Sequence, residues 1–183
     1  MTAGRLPLRF RRDEGGVAAI EFAIIAPLLV ALLLGAVTLY DLFRASHIAE
    51  KATFTTADIM SRENSTSTDK IGTNRAIFVA MSRHAASDTT FRVTSIKRQG
   101  KNFTVCWSDA PSPLVKMVDA TIPTPQMPLV ADGDTVLLVE TTVRATPLFD
   151  SVGLPAMTLA NFSAIRSRTG GPIKNESVPS APC

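Results

Sequence analysis

Much of the usual chemical repertoire is scarce in this chain. Its 183 residues include two cysteines, two histidines, one tryptophan and one tyrosine. The histidines, His47 and His84, have no Cys or second His at ligand spacing, so a zinc site of ordinary design is not expected. Basic and aromatic residues do not interleave, which argues against a base-stacking platform and a nucleic-acid partner. No second apolar run approaches membrane-spanning length, which excludes a polytopic transporter. The excess charge is small as well, with a formal net of +3. The first 16 residues supply +2 of it, Arg5, Arg9, Arg11 and Arg12 against Asp13 and Glu14, and the remainder carries 15 basic and 14 acidic residues. A sequence pI near 9.1 therefore does not mark a nucleic-acid-binding face. Catalytic groupings are missing too. Ser112 and Lys116 lack the spacing of a serine–lysine acylase, and Asp132-Gly133-Asp134 lacks the further acidic ligands of a calcium loop and reads as a turn. Neither a cofactor nor a small-molecule substrate is expected.

What the chain does have is concentrated. Val17 to Tyr40 is a block of 24 residues, 20 of them apolar, the exceptions being Glu21, Pro27, Gly35 and Thr38. As a helix the block reaches about 36 Å, enough to cross a hydrocarbon core of about 30 Å. Its thirteen Leu, Ile, Val and Phe residues favour insertion by about 6 kcal/mol, against about 2.5 kcal/mol opposing it from a buried acidic side chain. The arginines before the block, with no matching cluster after it, place the N-terminus in the cytoplasm and everything beyond Tyr40 outside. A cleavable secretory signal is the alternative. Such signals have apolar cores of about 7–15 residues, shorter than this one.

Glu21 needs an explanation, because an ionisable group in a spanning helix is costly unless it is paired or reaches the interface. Its surroundings read Gly15-Gly16-Val17-Ala18-Ala19-Ile20-Glu21-Phe22, with a glycine five residues before the carboxylate at the edge of the apolar run. This stretch, continuing as far as Gly35, resembles the processing region of type IV prepilins, and specifically the TadE-like pseudopilins of the tight adherence (Tad/Flp) machinery. The local similarity covers about 25 residues; beyond it only the layout is similar. The resemblance implies a leader of residues 1–16 cut by a prepilin peptidase between Gly16 and Val17. It implies an assembly role for Glu21 and Phe22, the new amine of Val17 pairing with the carboxylate of a neighbouring subunit. Pro27, six residues after Glu21, removes one helical hydrogen bond; it is either a tolerated kink or a softening used when the helix leaves the bilayer. Phe22, where the major pilin usually has Tyr, favours the minor class. The partners implied are other pseudopilins, pilin subunits, the peptidase, the inner-membrane assembly platform and the lipid bilayer.

The remaining sequence predicts an α+β domain. A stalk helix over 41–62 continues the transmembrane helix of 17–40, with Ala45, Ile48, Ala49, Ala52, Thr56, Ile59 and Met60 along one stripe. Pattern alone does not say whether that stripe packs on its own domain or on another subunit. A second helix is predicted from Asp69 to about Ala86, capped by Thr68 with Asp69, with both histidines on helices. Strands are predicted over 91–97, 103–108, 135–145 and 158–168, in an antiparallel sheet, with Phe103, Val105 and Trp107 on one core-facing side. Five prolines in 111–128 predict a loop with one helical turn near Leu114–Val118. The tail, 169–183, should be mobile unless tied down. Cys106 and Cys183, both on the oxidising side, could supply that tie as a disulfide, or remain free or bridge between molecules. The expected organisation is a leader of 1–16, the membrane helix, a periplasmic domain of 41–168 and the tail. Two other functions fit less well: a bitopic binding or sensor module, and a membrane-anchored periplasmic enzyme.

Overall fold

The computed structural model describes residues 15–111, 114–149, 153–169, 171–178 and 183. Most of the expected leader, residues 1–14, and Ser112 lie outside the described residues. Among the described residues the chain is α+β, with two α-helices and a four-stranded antiparallel sheet. Helix α1 (Gly15–Ser61) is followed by strand β1 (Ser65–Thr66), helix α2 (Thr68–Ser82), and strands β2 (Thr89–Gln99), β3 (Asn102–Asp109), β4 (Thr135–Ala145), β5 (Met157–Arg166) and β6 (Lys174–Asn175). The membrane run and the stalk form one helix, starting two residues earlier than the apolar pattern suggests. The chain divides into two compact units, one of Met1–Asp41 with Pro147–Pro155, the other of Leu42–Thr146 with Ala156–Cys183.

In the second unit four strands form a sheet in the order β3-β2-β4-β5, every neighbour antiparallel. Strand periodicity sends alternate residues to opposite faces. Phe91 and Val93 of β2 and Leu137, Val139 and Val143 of β4 meet the helices there. They share a core with Ala49, Ala52, Ala57 and Met60 of α1 and with Ile71 and Phe78 of α2. Within the domain the stripe is thus a packing face, except that Ile59 is 38% exposed. The face that α1 turns to this core is built mostly of small side chains. The polar ones among them are satisfied inside the helix, Thr53 and Thr56 donating to the carbonyls of Ala49 and Ala52, while Thr53 and Thr141 hydroxyls meet at 2.7 Å. The Phe78 and Phe91 rings lie 5.8 Å apart, centroid to centroid, within the range of favourable aromatic pairs. On the opposite face Ile96 and Leu138 pack with Met117 and Ile122 from the proline-rich connection.

Several local expectations need correcting. The cap of α2 is Ser67, whose hydroxyl accepts from Lys70 N at 3.3 Å, and the helix stops at Ser82 because Arg83 takes a left-handed φ of 59°. His84 therefore lies beyond the helix. The β2–β3 connection is two residues long, Gln99 pairing with Asn102. Gly100 there has φ of +62°, the position at which a type II′ turn takes glycine. The proline-rich connection has its helical turns at Asp119–Thr121 and Thr124–Gln126, not at Leu114–Val118.

The predicted alternation of Phe103, Val105 and Trp107 fails for a specific reason. Ser95 pairs with Trp107 but Ile96 pairs with Val105, so Cys106 is an extra residue in β3. A bulge of this kind resets the alternation. Phe103 and Val105 pack on the Ile96 side, while Cys106 and Trp107 enter the helix-side core.

The tail carries several ties. Ile173 is buried in the main core and its carbonyl accepts from Trp107 Nε1 at 2.7 Å. β6 pairs in parallel with β1, Ser65 with Lys174 and Thr66 with Asn175. Arg168 N donates to Ser61 O at 2.9 Å, and its side chain meets Asp58 at 2.6 Å.

Candidate functional site

The groups singled out at the N-terminal end lie in one stretch of α1. Gly16 stands in the first turn, and a methyl group added there would meet nothing within 4 Å. Among the described residues no neighbour therefore demands glycine at that position. Val17 and Glu21 are four residues apart, which puts them on the same side of the helix about 6 Å apart along its axis. Phe22 is 70% exposed and Glu21 is exposed beside it. Glu21 makes no salt bridge among the described residues. Pro27 lies inside the helix, where it has no N–H to offer the carbonyl of Ala23.

This stretch is bare. From Val17 to Leu33 every residue except Ala26 is exposed, including Ile20, Ile24, Leu28 and Leu32. The helix is long and apolar enough to cross a membrane, which fits a single-pass membrane protein.

The second grouping is far away in sequence. Cys106 and Cys183 are joined by a disulfide with a Cα–Cα distance of 5.2 Å. The bond connects the bulge of β3 to the last residue, beside the Trp107–Ile173 hydrogen bond. A cleft next to it is lined by Cys106, Trp107, Ile173, Asn175, Val178 and Cys183. The cysteines belong to the unit of Leu42–Thr146 and Ala156–Cys183, and the N-terminal group belongs to the other.

The Asp132-Gly133-Asp134 segment is engaged as a turn. Asp132 accepts from Gly100 N at 2.6 Å, Asp134 pairs with Arg166 at 2.7 Å, and Gly133 has φ of +83°. His47 is largely exposed, 3.8 Å from Glu50, and His84 Nδ1 lies 2.7 Å from the Ser82 carbonyl. Lys116 is exposed. Among the described residues no three His, Cys, Asp or Glu side chains converge on a possible metal position.

An exposed glycine is thus followed by a bare apolar helix with one early carboxylate. Residues 16–58 match the model of the TadE-like protein family. The TadE-like segment begins at Gly16 and ends within three residues of the end of α1. It thus covers the apolar run and the packing stripe as far as Thr56, and none of the strands. No curated protein and no solved structure matches the chain.

Sequence reasoning passed over two features. Asp58 holds both Arg62, at 2.8 Å, and Arg168, at 2.6 Å, fastening the end of α1 to the tail. Its spacing of four from Arg62 was visible, but Arg168 is 110 positions away. Thr38, one of the few polar residues of the apolar block, is completely buried, and it lies five residues beyond the last fully exposed stretch.

Proposed function

We propose that the chain is a TadE-like minor pseudopilin, stored in the inner membrane as a single-pass precursor with its N-terminus in the cytoplasm and its α+β domain in the periplasm. In this reading residues 1–16 are the leader, 17–40 the membrane helix, 41–168 the periplasmic domain with its stalk at 41–62, and 169–183 the tail. The chain has no enzymatic role of its own. It acts in assembling Flp/Tad-type pili or a related surface apparatus, with other pseudopilins, pilin subunits, the prepilin peptidase and the inner-membrane platform as partners.

The observation that carries the proposal is Gly16. A glycine that no described neighbour requires, placed where the family match begins, is explained by a peptidase that needs a small residue on the leader side of the cut. Because Gly16 lies within the first helical turn, cleavage requires that turn to open, and the first turn of a helix is the cheapest to open because its N–H groups lack helical partners. The cut frees the amine of Val17 about one turn from Glu21. In an assembly the amine of one subunit pairs with the carboxylate of the next, and because breaking a partly desolvated pair is costly, the pairing selects register between subunits. Phe22 and the bare apolar surface around it supply the packing face, and Pro27 weakens the helix locally for extraction.

N-terminal sequencing of the protein from cells containing the peptidase tests the reading. The expected terminus is Val17, lost when Gly16→Arg is introduced. A terminus at Met1 in those cells overturns the proposal and leaves a bitopic membrane module.

A further inference from the structure

The four-stranded sheet has two edges, and the chain treats them differently. At the β3 edge Val105 N donates to Asp119 Oδ1 at 2.6 Å, Cys106 is the bulge residue, and its disulfide holds Cys183 there. Bulges and covering segments are ordinary means of keeping an edge from pairing with another chain. Among the described residues the β5 edge has neither. β5 follows β4 over ten residues without a register shift. It contains no proline and one charge, Arg166, which is engaged with Asp134 at 2.7 Å.

The ladder fixes which backbone groups of β5 face outward. Arg98 N donates to Asp134 O at 2.9 Å, flanking the Lys97–Thr135 pair. That pair is therefore a non-hydrogen-bonded one, and alternation turns Val136, Leu138 and Glu140 toward β2 and the residues between them toward β5. Since Val139 pairs with Ser163 and Thr141 with Asn161, the N–H and C=O of Ala160, Phe162 and Ala164 point away from the sheet. Among the described residues no further backbone group bonds to them. Ala160 is exposed beside them, and Phe162 is 49% exposed.

The sequence of this edge names its partner. From residue 159 to 165 it reads Leu-Ala-Asn-Phe-Ser-Ala-Ile, and reversing it leaves the order aliphatic, small, polar, aromatic, polar, small, aliphatic. An antiparallel copy centred on Phe162 sets like against like: Leu159 opposite Ile165, Ala160 opposite Ala164, Asn161 opposite Ser163, and the two Phe162 rings side by side. Matched cross-strand pairs are the unit of sheet stabilisation. Arg166 then meets Thr158, so no two like charges face each other. We propose that β5 is a self-pairing edge, joining the sheets of two copies of this chain antiparallel about Phe162. The contact is isologous and closes at two copies. It does not depend on cleavage at Gly16.

Oxidative cross-linking of introduced cysteines tests this on the full chain in phosphatidylcholine vesicles, the native cysteines being joined to each other. Opposed residues of a hydrogen-bonded pair stand about 5.5 Å apart at Cα, within the roughly 4.4–6.8 Å that a disulfide spans. Phe162→Cys should therefore bridge to itself and give a band of twice the chain mass. Ala160→Cys and Ala164→Cys should bridge when mixed and not alone, since identical positions then lie four residues, about 13 Å, out of register. Leu129→Cys, at a 97% exposed position, measures chance collision and should stay monomeric. Adding Phe162→Lys to the mixed pair sets like charges opposite each other and should abolish its bridging, with the circular dichroism spectrum unchanged. Bridging at 162 no greater than at 129, no bridging of the mixed pair, bridging of Ala160→Cys with itself, or bridging that survives Phe162→Lys would each overturn the proposal.

Discussion

Two stretches of one helix solve opposite problems with opposite side chains. Residues 17–33 of α1 are rich in Leu and Ile and lie bare, whereas residues 49–60 bury a face made of Ala49, Ala52, Thr53, Thr56, Ala57 and Met60. The more apolar stretch is thus the more exposed. Thirteen large apolar residues between Val17 and Tyr40 are exposed. At about 1.5 kcal/mol each, moving them out of water is worth about 20 kcal/mol, which fits a helix that crosses a membrane. In the domain, the small side chains gain little from transfer out of water, but they share a core with residues of the sheet and of α2. Large residues indicate contact with a fluid, whereas small ones indicate contact with a rigid surface.

The comparison can be broken most forcefully at the disulfide, which closes the domain. Cys106 and Cys183 are 77 positions apart, and loop closure of that length is worth about 4–5 kcal/mol in the chain-entropy account. Cys183→Ala should lower the denaturant midpoint of the domain by a corresponding amount while membrane association stays unchanged; circular dichroism against denaturant, with carbonate extraction of membranes beside it, checks both halves.

A sharper probe makes one substitution in each stretch. Ala52→Leu forces a larger side chain between α1 and the sheet, and overpacking of this kind costs about 1–3 kcal/mol. Ala31→Leu, on the bare surface, should leave domain stability unaltered. Equal effects in thermal unfolding of the two variants would contradict the assignment of the two faces.

The smallest effect is expected at Asp58. Its pairs with Arg62 and Arg168 are partly solvated, the arginine side chains being 61% and 56% exposed. Asp58→Asn should cost below about 1 kcal/mol, and the difference from the parent should shrink as salt is raised. A salt-independent difference in unfolding free energy would mean that Asp58 acts through packing instead.

Local signals carried a large part of the architecture. Thr135–Ala145 is a strand with those bounds because β-branched residues follow a Gly-Asp turn, and both signals lie within a dozen positions. The apolar run is equally local. The face of Trp107 was not legible, because the alternation was sound on either side of Cys106 and the extra residue shows only when β2 supplies the register. The cap of α2 was misplaced by one residue because Ser67 and Thr68 are both good caps, and only the backbone decides which is extended. The cysteine pair was visible as a possibility, but joining its members required the tail to return along β1.

By itself, then, the sequence determined what each segment of α1 must be dissolved in, since transfer energies belong to side chains and need no neighbours to be specified. It also placed Gly16, Val17, Glu21 and Phe22 at one end of a helix, since helical spacing follows from the backbone alone. Tertiary structure decided which residues of β3 face the helices and how the tail is anchored through Ile173 and Cys183. Each of these depends on segments tens of residues apart coming together, and the energy that selects such contacts exists only once the sheet and helices have formed.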